Sequence, residues 1–298
     1  MAKIMFGLNN CWAVKRWPLP EEWAEITRSL DIDIVQVSFD LFEPMLGNVG
    51  ADILAERTRE AVAKYGIKVH STFTGLIMYS VNLLSHPDQF MRMAGVNWYF
   101  RGVELTRKMN VRITGGAIGA MSVHDYRNPE RKQFIVSNLF ENVRKIAEYA
   151  YYNNIEMLLW EPMPVPREIP WSIEETKYVL REVNKNSKIP VKLNIDLGHQ
   201  CTLQGIEKDP YYWLQELAPE SPSLHIQQTD GQGDRHWPFT EEYNKIGIIK
   251  AERVIEAIEK SGAKEVYLFL EYIPAPEYPD DKVLEDLKIS VKYWKQYL

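Results

Sequence analysis

Four short segments in the second half of the chain each carry, in or just after an apolar run, a group able to bind a cation or move a proton. They are Leu158-Leu159-Trp160-Glu161, Leu193-Asn194-Ile195-Asp196, Leu224-His225-Ile226-Gln227 and Phe269-Leu270-Glu271. Each group abuts β-type sequence, so the four are expected at the C-terminal rim of consecutive strands. Gathered there, two carboxylates about 4 Å apart repel by roughly 4 kcal/mol at an effective dielectric of 20, and a third makes matters worse. A divalent cation removes that repulsion, and three carboxylate oxygens with one imidazole nitrogen form a suitable shell for it. Glu161, Asp196, His225 and Glu271 are therefore the expected metal ligands. A lone acid at a strand end is more often a helix cap or a surface group, and a lone histidine is more often packed and satisfied. Four at equivalent places on successive strands are hard to explain that way.

The elements that would position these groups alternate along the whole chain. Strands are expected at Met5–Asn9, Ile34–Phe39, Lys68–Phe73, Val111–Gly115, Ile155–Trp160, Val191–Ile195, Ser223–Gln227 and Glu265–Leu270. Several are continuous apolar runs, as befits strands covered on both faces. Helical patterns fill the gaps at Pro20–Leu30, Ala51–Tyr65, Pro87–Met109, Pro129–Tyr152, Ser172–Val183, Asp209–Leu217, Lys250–Ser261 and Asp280–Tyr297. Pro20 suits a first helical turn, Gly66 and Gly262 suit C-caps, and Ser172 with Glu175 forms a capping-box pattern. Strand–helix alternation of this kind gives either a closed barrel or a doubly wound sheet. No Gly-x-Gly-x-x-Gly follows the first strand, which removes the main support for a dinucleotide fold. The expectation is an α/β protein, a (β/α)8 TIM barrel forming a single domain over residues 1–298. The proline-rich stretches Pro162–Pro170 and Pro274–Pro279 follow strands five and eight, where a barrel carries its catalytic loops.

The 298 residues are 45% hydrophobic and 26% charged, an ordinary globular composition. A net charge of -6 opposes a protein built to hold phosphate backbones, so no nucleic-acid partner is expected. Cys11 and Cys201 are too few for a disulfide framework or a cysteine zinc cluster. The apolar stretch Ile4–Leu8 is stopped by Asn9 and Asn10. It falls short of the roughly 7–15 apolar residues of a signal peptide and the roughly 20 of a membrane span. A cytoplasmic protein with no membrane partner is the expectation.

Glu161-Pro162, Asp196-Leu197-Gly198-His199, His225 and Glu271 resemble the xylose-isomerase-like barrel family, in particular its ketose 3-epimerases of the tagatose and psicose type. The resemblance covers nearly the whole chain by strand order, with its specific motifs between Glu161 and Glu271. It implies one divalent metal ion, manganese first, with cobalt, magnesium or zinc as alternatives, and a small-molecule sugar or sugar phosphate as substrate. It also implies that the two glutamates move protons, that His199 contacts the sugar and that Glu168 meets a terminal hydroxyl. Arg235 is the nearest match to a substrate-binding arginine, although it lies farther beyond His225 than in those epimerases. Related barrels often form dimers or tetramers, so a homo-oligomer fits the resemblance. The segments Glu161–Glu168 and His225–Phe239 look more specifically like the tetrulose-phosphate epimerases, which act on erythrulose phosphate.

On this basis Glu161 and Glu271 would exchange a proton with the carbon beside a ketose carbonyl through a cis-enediolate. Arg167 could pair with a phosphate through planar, charge-assisted hydrogen bonds, or it could be a solvated loop cation. His70 and Trp12 are further substrate-side candidates, Trp12 as an aromatic wall or equally as packing. Asp230, between Thr229 and Gly231, reads as turn chemistry. One alternative is an aldose–ketose isomerase, which uses the same metal and intermediate. Another is a metallonuclease resembling endonuclease IV, whose Asp-Arg-His segment Asp234-Arg235-His236 matches. Against it, Ile113-Thr114-Gly115-Gly116-Ala117 holds no strand-four histidine, and His124 comes late to replace it.

Overall fold

The computed structural model describes residues 2–45 and 47–298. Its strands are β1 (Lys3–Asn9), β2 (Ile34–Ser38), β3 (Lys68–Phe73), β4 (Ile113–Gly116), β5 (Met157–Trp160), β6 (Val191–Asp196), β7 (Ser223–Ile226) and β8 (Glu265–Leu270). They follow one another in sequence order as a closed barrel, the fold class expected from the alternation of patterns. Contacts divide the chain into two compact units: residues 1–37, 61–69 and 193–298, and residues 38–60 and 70–192.

In the first unit β1 pairs in parallel with β8 from Lys3↔Glu265 to Leu8↔Leu270, and with β2 at Asn9↔Gln36. β7 lies between β6 and β8, with Asp196 opposite His225 and Ile226 opposite Leu270. Every residue of β7 is buried, as are the last three of β8, which accounts for their unbroken apolar character. Asn9, Gln36, Asn194, Ser223 and His225 are buried too, so this unit has a polar core that must be hydrogen-bonded internally. The helix Ala251–Ser261 buries Ala251, Val254, Ala257 and Ile258 on one face and stops at Gly262, whose φ of 80° closes the C-terminus as expected. Asp280–Lys295 carries Asp280 and Asp281 in its first turn and Lys292 and Lys295 in its last, which suits the helix dipole.

In the second unit β4 and β5 register from Ile113↔Met157 to Gly116↔Trp160. Gly115 is required there: a Cβ would lie 2.0 Å from the Leu159 carbonyl oxygen. The Asp88 carboxylate accepts Phe90 and Met91 N–H groups at the start of Gln89–Lys108. Asn128 caps Pro129–Tyr152, and Ser172 caps Ile173–Asn184 through Glu175 N. The helix expected from Ala51 begins earlier, at Asn48. The short helices Leu76–Tyr79, Val123–Arg127 and Glu241–Ile246 were not expected, because one turn or so is too short to show a period. Among the described residues no helix is long and apolar enough to cross a membrane.

Candidate metal centre

The chemistry-bearing groups of the first unit lie in one layer at the C-terminal ends of its strands. Asp196 closes β6 and is the register partner of His225 in β7. Glu271 follows β8 directly, its N–H donated to the Ile226 carbonyl at 3.0 Å. His225 Nδ1 stands 3.0 Å from Glu271 Oε2 and 4.0 Å from Asp196 Oδ2. Asp196 Oδ1 accepts Gly198 N–H at 2.5 Å and Gln227 Nε2–H at 2.9 Å, whereas its buried Oδ2 has no hydrogen-bond partner. An orphaned carboxylate oxygen in a fully buried residue is costly unless a cation or a proton meets it. Asp196, His225 and Glu271 each offer a ligand atom within 4.8 Å of the others, so the site fits a divalent ion on its own geometry.

A second set adjoins the first. Asp196, His199 and His236 also offer ligand atoms within 4.8 Å of one another. Asp234 Oδ2 lies 3.5 Å from His199 Nε2 and 3.2 Å from His236 Nε2, and His236 Nδ1 lies 3.4 Å from Glu271 Oε2. Burial pushes the Asp196 carboxyl up to about 7, and the His199 and His236 imidazoles offset this only in part. Burial also works against charge on Glu271, but the adjacent His225 and His236 outweigh it and bring its carboxyl down to about 2. For His236, desolvation disfavours the cation, yet the Asp234 carboxylate more than compensates and raises it to about 10. Asp234 is correspondingly held well below the usual carboxylate range, against the effect of its own burial.

Gln227 ties the two sets together. Its Nε2 donates to Asp196 Oδ1 and, at 2.6 Å, to Asp234 Oδ1, while its Oε1 accepts the His236 and Arg235 N–H groups at 2.5 and 3.2 Å. The amide can approach so closely because residue 198 is glycine: a Cβ there would lie 2.3 Å from the Gln227 side-chain carbonyl carbon. Gly198→Ala is therefore expected to push this amide off both carboxylates. It should lower apparent Mn2+ affinity about tenfold, as loss of a group bonded to a metal ligand typically does. A Mn2+ titration followed by electron paramagnetic resonance checks it, and unchanged affinity would remove Gln227 from the site.

The other expected residues divide as follows. His199 is buried and faces Asp234, inside the cluster. Arg235 points away: its guanidinium pairs with Asp230 at 3.2 and 3.3 Å and lies over the Trp237 ring, while its neighbours Asp234 and His236 take the inward places. Asp230 also accepts Gln232 N–H, the turn chemistry expected of it. Trp12 is fully buried with its ring centroid 5.7 Å from that of Trp17, as packing would have it. In the second unit, Glu161 follows β5 directly, is buried, and donates its N–H to the Gly116 carbonyl at 3.2 Å. His70 lies within β3, three residues before its end, with Nδ1 2.9 Å from Ser71 Oγ. Arg167 donates to the Met121 carbonyl at 2.9 Å, and Glu168 is half-buried beside it. Asn9, Gln36 and Gln227 are site residues that the chain's pattern did not single out, whereas His236 stood out only within the Asp-Arg-His segment of the metallonuclease alternative. The one available signal was strand alternation, which puts residues 225 and 227 on the same face.

Comparison with known proteins places this geometry in context. Residues 21–293 match the family model described as xylose isomerase-like TIM barrel. The chain is 26% identical over 304 residues to the D-erythrulose 1-phosphate 3-epimerase of Brucella abortus, covering 99% of this chain and 96% of that one. A solved structure from Rhodospirillum rubrum, assigned as a xylose isomerase, matches over 99% of both chains with a TM-score of 0.93 and 32% identity. The D-psicose 3-epimerase of Clostridium cellulolyticum, solved with D-tagatose, matches over 100% of this chain and 99% of its own, with a TM-score of 0.73 and 14% identity. At that identity the likeness is one of fold.

Proposed function

The chain belongs to the xylose isomerase-like TIM barrel family, and from that premise we propose that it is a divalent-metal-dependent epimerase of a ketose or ketose phosphate. Within that class a tetrulose phosphate such as erythrulose phosphate is the substrate we favour. The observation that carries the reading is the buried layer of Asp196, His225 and Glu271 with an unpartnered carboxylate oxygen in it. The relative of 26% identity supports the choice of sugar, since it is a 3-epimerase of erythrulose 1-phosphate.

In this reading Glu161, placed after β5 as Glu271 is after β8, is the fourth ligand beside Asp196, His225 and Glu271. Manganese is the first candidate for the ion. When bound, the dication supplies Lewis acidity that lowers the cost of negative charge on the substrate oxygens. The chain's own carboxylates then do the proton work. Inversion requires that a proton leave one face of the carbon beside the carbonyl and return to the other, through a cis-enediolate. Glu161 and Glu271 are assigned to the two faces, and the substrate's configuration decides which acts first. His199 and His236 are assigned to donate hydrogen bonds to substrate oxygens as charge develops on them. Arg167 and Glu168 are assigned to the far end of the substrate, Arg167 to a phosphate. Arg235 could join them only by leaving Asp230, a partly exposed pair of small strength. His70 and Trp12 remain outer candidates.

The test is proton exchange in heavy water with Mn2+-loaded protein and erythrulose 1-phosphate, psicose and tagatose. Deuterium is expected at C3 of the tetrulose phosphate, with the epimer accumulating. Exchange at C1 of psicose or tagatose with formation of an aldose would convert the reading to an isomerase, and no exchange with any ketose would end it. The convergence of His199, Asp234 and His236 favours one second reading, a multi-metal nuclease. It lacks a strand-four histidine: β4 is Ile113–Gly116, and the His124 side chain is 83% exposed on the helix that follows. One metal ion per chain by elemental analysis supports the epimerase, and three support the nuclease.

A further inference from the structure

We infer that Gln36 is a positioning residue that holds His225 in the tautomer needed to bind a metal ion. The inference rests on the metal site proposed above, but its argument starts from a group that has no choice of orientation. Cys11 N–H donates to Asn9 Oδ1 at 3.0 Å. A backbone N–H can only donate, so this contact fixes the Asn9 amide with its oxygen toward Cys11 and its NH2 turned the other way. Asn9 Nδ2 then donates to Gln36 Oε1 at 2.9 Å, across the β1–β2 register pair. That bond in turn fixes the Gln36 amide, whose Nε2 is left facing Ser223 Oγ at 3.5 Å. Gln36 Oε1 also lies 2.5 Å from His225 Nε2. Since Oε1 can only accept, Nε2 must carry the hydrogen.

A neutral imidazole protonated at Nε2 presents a lone pair at Nδ1. Here Nδ1 is the atom 3.0 Å from Glu271 Oε2 and 4.0 Å from Asp196 Oδ2. The relay from Cys11 through Asn9 and Gln36 therefore aims Nδ1 at a group of carboxylate oxygens: as an imidazolium it donates to Glu271 Oε2, and once that proton is released its lone pair faces the place a cation would take. Asn9 Nδ2 reaches Glu271 Oε1 as well, at 3.4 Å, so the same relay restrains a second ligand. All these side chains except Glu271, which is about one-eighth exposed, are buried, so water does not offer His225 Nε2 an easy alternative acceptor.

The test uses full-length protein and two readouts that do not depend on turnover. Nitrogen-15 histidine spectra of the metal-free protein, recorded across a pH series, are expected to show His225 keeping its Nε2 hydrogen when the ring becomes neutral. A Nδ1–H tautomer in wild type would overturn the inference. Gln36→Leu, which removes the acceptor at similar volume, is expected to lower Mn2+ affinity about 10–100-fold, the usual range for loss of a partner to a metal-bound histidine. Gln36→Glu keeps an acceptor at the same place and is expected to restore affinity to within a few-fold of wild type. Wild-type affinity in Gln36→Leu, or equal loss in both variants with native melting, would overturn the assignment. If Gln36→Leu fails to fold, the wild-type tautomer and the Gln36→Glu affinity still decide. Failure of the sugar assignment is separable, since an absence of ketose exchange leaves both readouts intact.

Discussion

Glu271→Gln is expected to lower ketose proton exchange about 10^3-fold or more at saturating Mn2+. The side chain exchanges one oxygen for a nitrogen and does not change in reach, so packing is preserved and chemistry is what is tested. Oε1 can still accept from Asn9 Nδ2, which stands 3.4 Å from it in the wild type. The new NH2 would take the place of Oε2, 3.0 Å from His225 Nδ1, and donate to that nitrogen's lone pair. Two consequences follow, and they must be separated. Mn2+ affinity should fall because a charge and a ligand atom are lost, so exchange must be measured across a metal titration and compared at its plateau. The plateau itself should stay low because an amide has no basic lone pair for the substrate proton, and a general base contributes roughly 10^2–10^4 in rate. Loss of an anion that helps hold the cation in place adds to this. Glu271→Asp keeps the carboxylate one methylene short and should fall between the two. A plateau within tenfold of wild type for Glu271→Gln would remove this residue from the proton path.

What the chain reveals before folding is uneven, and the reason is physical. The strands were legible because buried parallel strands are continuous apolar runs, and β7 and β8 are buried over most of their length. Asp196, His225 and Glu271 were legible because each interrupts or ends such a run, and strand periodicity alone then brings them to one layer. The loop after β7 was not. The family resemblance pointed there to Arg235, but the backbone folds back through the Gln228–Trp237 bridge and takes His236 to a φ of 49°, a conformation few residues other than glycine adopt. The result turns Asp234 and His236 inward and leaves Arg235 on Asp230. Gln36 and Asn9 were illegible for another reason. As strand residues they look like ordinary polar positions, and their role exists only through a register that pairs them across β1 and β2. Sequence shows which residues can bind a cation more readily than which ones prepare it.

Asp196→Asn should move stability and metal binding in opposite directions. In the metal-free wild type this fully buried carboxyl is pushed up to about 7, whereas in the unfolded chain it titrates near its ordinary value of 3.8. Between those values the native state binds the extra proton, so folding stability falls as pH rises. The contribution is fully present below about pH 4 and lost as pH passes through about 7. His236 acts in the same direction at higher pH, since its raised value of about 10 contributes stability below its ordinary 6.5 and loses it toward 10. Glu271, lowered to about 2, contributes stability above its ordinary 4.5 and loses it only in strong acid. At pH 8 the metal-free wild type therefore carries a buried anion with one oxygen unpartnered. Asparagine keeps the acceptor for Gly198 and Gln227 and removes the charge, which should stabilise the metal-free protein at pH 8 by on the order of 2–4 kcal/mol, or roughly 5 °C or more in Tm. The same change should lower Mn2+ affinity by about 10^3-fold or more, because the ligand must be an anion. For the wild type, the difference in Tm between Mn2+-loaded and metal-free protein should widen from pH 5 to pH 8, and Mn2+ uptake in weak buffer near pH 6 should release protons. In Asp196→Asn that widening should be largely absent. A metal-free variant less stable than wild type at pH 8 would show that the Asp196 charge is already compensated within the fold, and a cation would then not be needed to explain the site.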